Sequence, residues 1–144
     1  MWCPFDTDES LFVKILREHG CDVIATHIDD GGDFFELVDS DICEWADYIV
    51  SNPPYSLKTE VLETLFATGK PFAMLVGVVG LFESQRRFDM FKNNIFEIMY
   101  MNRRVAYFKD YKEQKPSLNP PFSSVYVCHG MLPSQIVFEE IVKK

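Results

Sequence analysis

Nine consecutive uncharged residues, Pro71-Phe72-Ala73-Met74-Leu75-Val76-Gly77-Val78-Val79, form the most apolar stretch of the chain. A strand of that composition needs cover on both faces, which is the situation of a parallel strand with helical crossovers. The rest of the pattern agrees. Trp2-Cys3-Pro4-Phe5 reads as a strand end, and Leu11, Phe12, Ile15 and Leu16 follow at helical spacing up to Gly20. Asp22 to His27 is a short β-branched run ended by Gly31-Gly32, and Trp45 to Val50 is a further strand stopped by a proline pair. From Lys58 to Thr68 the residues Val61, Leu62, Leu65 and Phe66 mark a helical face closed by Gly69. A helix from Glu83 to about Lys92 and a strand over Ile95 to Met101 come next. Val105 to Phe108 is expected to pair with Ser123 to Cys128 as a hairpin around a polar excursion from Lys109 to Pro121. The expected fold is one α/β domain over residues 1–144, an open sheet, mostly parallel, with an antiparallel carboxyl-terminal pair.

Composition narrows the function classes. Apolar residues make up 47%, thirteen of them Phe, which is enough for one packed core. No apolar run reaches the roughly 20 residues of a bilayer span, and the start lacks a signal pattern, so a cytoplasmic protein with no membrane partner is expected. Cys3, Cys21, Cys43 and Cys128 stand singly, without metal or redox spacing, and read as buried free thiols. His19, His27 and His129 likewise have no metal-ligand spacing, so no metal site is expected. The net charge of −8 divides unevenly. Residues 1–50 hold thirteen acids and two bases, whereas residues 51–144 hold nine acids and twelve bases. Bases gather between Arg86 and Lys115, among them Arg87, Arg103 and Arg104, which makes that stretch either a phosphate-facing stripe or an ordinary solvated face.

The chemistry concentrates in Ser51-Asn52-Pro53-Pro54-Tyr55, at the carboxyl end of an apolar strand. Open α/β sheets bind ligands at that end. The lone pair of an exocyclic amine is delocalised into its ring, so methylating it requires acceptors that hold its N–H bonds and aim the nitrogen. The Asn52 side-chain carbonyl and the Pro53 backbone carbonyl, the latter stiffened by two ring-locked residues, are suited to that task. Tyr55 can stack on the base face. The alternative is a turn that merely ends a strand.

With those residues in view, the chain resembles the adenine-specific, S-adenosylmethionine-dependent DNA methyltransferases, especially short phage-encoded forms. The resemblance rests on Trp2-Cys3-Pro4-Phe5-Asp6 near the start, Asp33-Phe34-Phe35, Asn52-Pro53-Pro54-Tyr55, and Phe122-Ser123-Ser124-Val125-Tyr126. It implies a Rossmann-like methyltransferase sheet and a site at Asn52, Pro53, Pro54 and Tyr55. It also implies a cofactor side made of Phe5, Asp6, Asp29 or its neighbour Asp30 for the ribose, Asp33 near the adenine and Phe34 against that ring. Arg86, Arg87, Arg103 and Arg104 become the nucleic-acid contacts. The chain departs from the family in its first loop, which has no glycine before Gly20, and in lacking the family's usual amino-terminal helix and full first strand.

Two functions follow as expectations. One is a small methyltransferase acting on adenine amino groups of DNA or RNA. The other is a bacteriophage counter-defence protein that keeps the fold without the reaction. Its acidic first fifty residues would imitate a nucleic-acid backbone toward a host nuclease or nucleic-acid-binding complex. A piece of a longer methyltransferase would also start in this way.

Overall fold

The computed structural model describes residues 1–102, 108–110, 115–116 and 124–140. Strand β1 (Trp2–Cys3) leads through helix α1 (Leu11–Glu18) to β2 (Ile24–Ala25). After a 3-10 turn at Ile28–Asp30 come two short helices, α2 (Phe34–Leu37) and α3 (Asp41–Trp45), and then β3 (Ile49–Ser51). A second 3-10 turn, Tyr55–Leu57, runs into α4 (Lys58–Thr68), which is followed by β4 (Phe72–Gly77), α5 (Gln85–Lys92) and β5 (Glu97–Met101). Short strands β6 (Phe108–Asp110) and β7 (Lys115–Pro116) pair with each other, and β8 (Ser124–His129) and β9 (Ile136–Glu139) complete the elements.

Seven strands form one mixed sheet in the order β2-β1-β3-β4-β8-β5-β9. The first four run parallel, Trp2 facing Ile24 on one side and Ile49 on the other, with Ile49 opposite Phe72. β8 runs against both its neighbours, from Phe72↔His129 to Gly77↔Ser124 along β4 and from Glu97↔Cys128 to Tyr100↔Val125 along β5. β9 lies parallel to β5 at the edge. The α/β class and the largely parallel sheet agree with the sequence expectation. The antiparallel part is built differently: a strand has two hydrogen-bonding edges, and those of β8 are taken by β4 and β5, so no edge is left for the hairpin expected with Val105 to Phe108. Residues 105–107 themselves lie outside the described residues.

Side-chain alternation divides the core between the two faces of the sheet. Trp2, Ile49, Phe72, Met74 and Val76 point into the larger cluster with Val61, Leu62, Leu65 and Phe66 of α4 and Met90 and Phe91 of α5. Cys3 turns to the opposite face with Val13 of α1, and Val50 and Ala73 pack there with Cys128. All six residues of β4 are buried, as its composition requires. Helix α4 buries the four apolar residues expected of it and stops at Gly69, whose φ of 70° is a conformation that favours glycine. Helix α1 is rotated from the expected face. Val13 is fully buried and Phe12 and Leu16 partly so, whereas Leu11 and Ile15 remain 50% and 42% exposed.

The expected strand over Trp45 to Val50 is shorter than that: Trp45 ends a helix and Ala46 to Tyr48 are irregular. Residues Asp41–Trp45 are the last turn of the α2–α3 segment, and Lys70 Nζ donates to the carbonyls of Glu44 at 2.8 Å and Ala46 at 2.7 Å. A cation on otherwise unpaired terminal carbonyls stabilises a helix end. Only Ile49 to Ser51 then remain for the sheet. The four thiols are free. Burial pushes the Cys3 and Cys128 thiols up to about 12, which leaves them protonated and unreactive at neutral pH.

Candidate functional site

In the order β2-β1-β3-β4 the chain leaves β1 toward one side of the sheet and returns to build β3 and β4 on the other. The loops after β1 and β3 therefore part at their carboxyl ends, where open sheets hold ligands. The gap is bridged by a buried polar cluster. Ser51 Oγ donates to Asp6 Oδ2 at 2.5 Å and accepts from the Phe5 backbone N–H at 3.1 Å. Ser10 Oγ donates to Asp6 Oδ1 at 3.0 Å and accepts from the Thr7 N–H at 3.2 Å. Asp6, Ser10 and Ser51 are all under 10% exposed. Hydroxyls on both carboxylate oxygens hold a buried charge that would otherwise be strongly disfavoured. Asp6 thus ties the first loop to the residue that precedes Asn52.

Immediately beyond Ser51 the chain lines an open cleft with Asn52, Pro53, Tyr55 and Lys58, its floor formed by Leu75, Val76 and Gly77 of β4. The cleft is partly open to solvent and has room for about one water. That is far below the roughly 300–1,000 Å³ of pockets that enclose a whole small molecule. Asn52 and Pro54 are exposed, Pro53 is buried and Tyr55 is 46% exposed. Lys58 Nζ lies 5.6 Å from the centre of the Tyr55 ring and donates to the Val79 carbonyl at 3.2 Å.

The residues expected on the cofactor side gather around the carboxyl ends of β1 and β2, but as structural members of the fold. Phe34 is 3% exposed, with ring centroids 5.7 Å from Trp2 and 5.1 Å from Phe5. Its faces are covered by its own neighbours. Asp33 caps α2, accepting from the Phe35 N–H at 3.0 Å, and Asp29 is exposed beside His27 in the 3-10 turn. Asp30 is exposed in the same turn. Asp29 and Asp30 stand exposed, while one Asp33 carboxylate oxygen is taken by the Phe35 N–H. Phe34 and Asp6, as they stand, present neither an open ring nor an uncommitted carboxylate.

Of the four arginines, Arg86 is committed within the fold, its guanidinium bonding Glu63 and, at 3.2 Å, Glu60 Oε1. Arg87 is half-buried near the cleft. Arg103 and Arg104 lie outside the described residues, as do Phe122 and Ser123. Sequence reasoning missed Lys58, read only as a helix start, and the hydroxyl pair Ser10 and Ser51. Ser10 lies in a loop with Asp6, within reach of local side-chain bonding, whereas the bond from Ser51 depends on the fold. Among the described residues no group of three or more His, Cys, Asp or Glu is arranged to hold a metal, and no helix is long and apolar enough to cross a membrane.

No protein-family model matches the chain, and no curated protein matches it.

Proposed function

We propose that this chain is a methyltransferase-like protein of Rossmann-like architecture that takes the exocyclic amino group of adenine, in DNA or RNA, with S-adenosylmethionine as its methyl donor. The observation that carries the reading is the position of Asn52, Pro53 and Tyr55 together at one cleft, at the carboxyl end of β3 and beside the strand-order reversal. Two carbonyl acceptors and a ring are the groups needed to hold an aromatic amine by its N–H bonds and its face. Only the edge of a base, presented from a single strand or flipped from a duplex, would enter so small a cleft. Asn52 and Pro53 orient the nitrogen, Tyr55 stacks, and Asp6 fixes the loop through Ser51. The bound cofactor would supply an electrophilic methyl group, with Asp29 or Asp30 toward its ribose and Asp33 toward its adenine; the covered Phe34 ring does not fit the role the resemblance gives it.

The reading is tested by calorimetric titration with S-adenosylmethionine and its demethylated product, and by transfer of labelled methyl to adenine-containing oligonucleotides. Heat of binding with transfer that disappears in Asn52→Ala is the expected result. Absence of both in the wild-type chain removes the reading.

A second reading is favoured by the surface of the amino-terminal third. Eleven of its thirteen carboxylates are exposed, all but Asp6 and Asp33, and Phe34 and Asp6 are already engaged inside the fold. An inactive relative that opposes a basic host nuclease or nucleic-acid-binding complex with this face needs no cofactor. It predicts no methyl transfer, together with binding to such a partner that falls steeply with added salt and is weakened by Asp29→Lys and Asp30→Lys.

A further inference from the structure

Two cations close on a single turn at the rim of the cleft. Lys58 opens α4 and reaches the Val79 carbonyl at 3.2 Å, while Arg87 of α5 approaches the next residue, its Nη2 lying 3.7 Å from where a Cβ on Gly80 would be. Arg87 Nη1 is 3.5 Å from Thr59 Oγ1, and its Nε is buried without a hydrogen-bond partner. Neither cation has a carboxylate partner among the described residues, in contrast to Arg86 one position earlier, which is bound by Glu60 and Glu63. Glu83 also approaches Gly80 but forms no ion pair there.

From this geometry we infer that Lys58 and Arg87, around the Val79–Gly80 turn, seat one phosphodiester of a polynucleotide whose base enters the cleft at Asn52 and Tyr55. The inference rests on the base-binding reading of that cleft and adds the group that anchors the strand. Like charges held side by side without a counterion are unfavourable until an anion arrives, and a phosphate offers acceptors to both an ammonium and a guanidinium. Partial burial, and after it the positive charge of Arg87, pull the Lys58 ammonium below its ordinary range, which is the strain a bound anion relieves. Lys58 also lines the cleft with Asn52 and Tyr55, so a phosphate held there lies within a nucleotide's reach of the base.

The test is the salt dependence of binding to a short oligothymidylate carrying one adenine, as DNA and as RNA, followed by fluorescence anisotropy. The Lys58→Gln/Arg87→Gln double variant is expected to bind at least about tenfold more weakly and to lose about 0.7 from the slope of log K against log salt, one phosphate contact on a single strand. Lys58→Arg/Arg87→Lys keeps the charges and is expected to restore the slope. Thermal melts of each variant separate loss of binding from loss of fold. An unchanged slope in a folded double variant overturns the phosphate seat, as does failure of either oligonucleotide to bind the wild type. Equal charge dependence for adenosine monophosphate alone would reassign the seat to free nucleotides and overturn the strand assignment. Replacing the adenine by an abasic site keeps the two ideas apart. If affinity is then unchanged while the slope still responds to Lys58 and Arg87, the base-binding reading fails and the phosphate seat stands.

Discussion

Two buried carboxylates, Asp6 and Glu97, are held by opposite kinds of donor, and each joins segments distant in sequence. Asp6 is held by the hydroxyls of Ser10 and Ser51, Glu97 by the backbone N–H groups of Gly130, Met131 and Leu132 at 3.1, 2.8 and 3.0 Å. Burial by itself would raise the Glu97 carboxyl, but the three N–H donors outweigh it and the net effect lowers it from its ordinary 4.5. A depressed folded value means that this contribution to stability is complete above the unfolded value, and is lost as pH falls below about 4.5 through the folded value. Glu97→Gln is therefore expected to lower unfolding free energy at neutral pH by about 1–3 kcal/mol and to flatten the acid limb, as read by urea melts across pH. Ser51→Ala leaves Asp6 short of a donor and is expected to lose about 1–3 kcal/mol. In a double-mutant cycle with Asp6→Asn the losses should fall short of additive, because both changes remove the same bond.

At the scale of elements, the sequence was most legible where one face or both are buried. The uncharged run around Leu75 and the spacing of Val61, Leu62, Leu65 and Phe66 specify β4 and α4 because each apolar position there has a packing partner. Reading failed where long-range contacts decide. Nothing local indicates that Lys70 reaches back to the carbonyls that end α3, so Trp45 reads from its neighbours as a strand residue. Likewise, the local pattern offers β8 a hairpin partner, whereas its partners in the sheet, β4 and β5, lie farther away in sequence. In the loop after β2, Gly32 packs where a Cβ would meet Thr26 Cβ at 3.0 Å and His27 backbone at 3.2 Å. Gly32→Ala is expected to destabilise the fold by about 1–3 kcal/mol in thermal or denaturant melts, since backbone cannot move aside cheaply. The same change should disturb Asp29 and Asp33, whose turn it closes.

Across the whole molecule, charge and topology place opposite characters on the chain. Eleven of the thirteen carboxylates of the first fifty residues are exposed, whereas Lys58 and Arg87, without a carboxylate partner among the described residues, stand beside the cleft beyond β3 and β4. On the proposed reading, a polynucleotide approaching this surface would be repelled by the acidic face and drawn toward Lys58 and Arg87 beside Asn52. The motif residues were legible in the sequence because proline, asparagine and tyrosine declare a rigid polar loop. The shallowness of the cleft and the burial of Phe34 were not, because both depend on how Trp2, Phe5 and β4 pack. The most direct measurement compares equilibrium binding of an oligothymidylate carrying one adenine with that of the same strand carrying unsubstituted purine, which lacks only the amino group. The wild-type chain is expected to prefer adenine by about tenfold, or about 1.4 kcal/mol, and Asn52→Ala to abolish the preference. Equal affinity of the wild-type chain for the two strands would contradict the account.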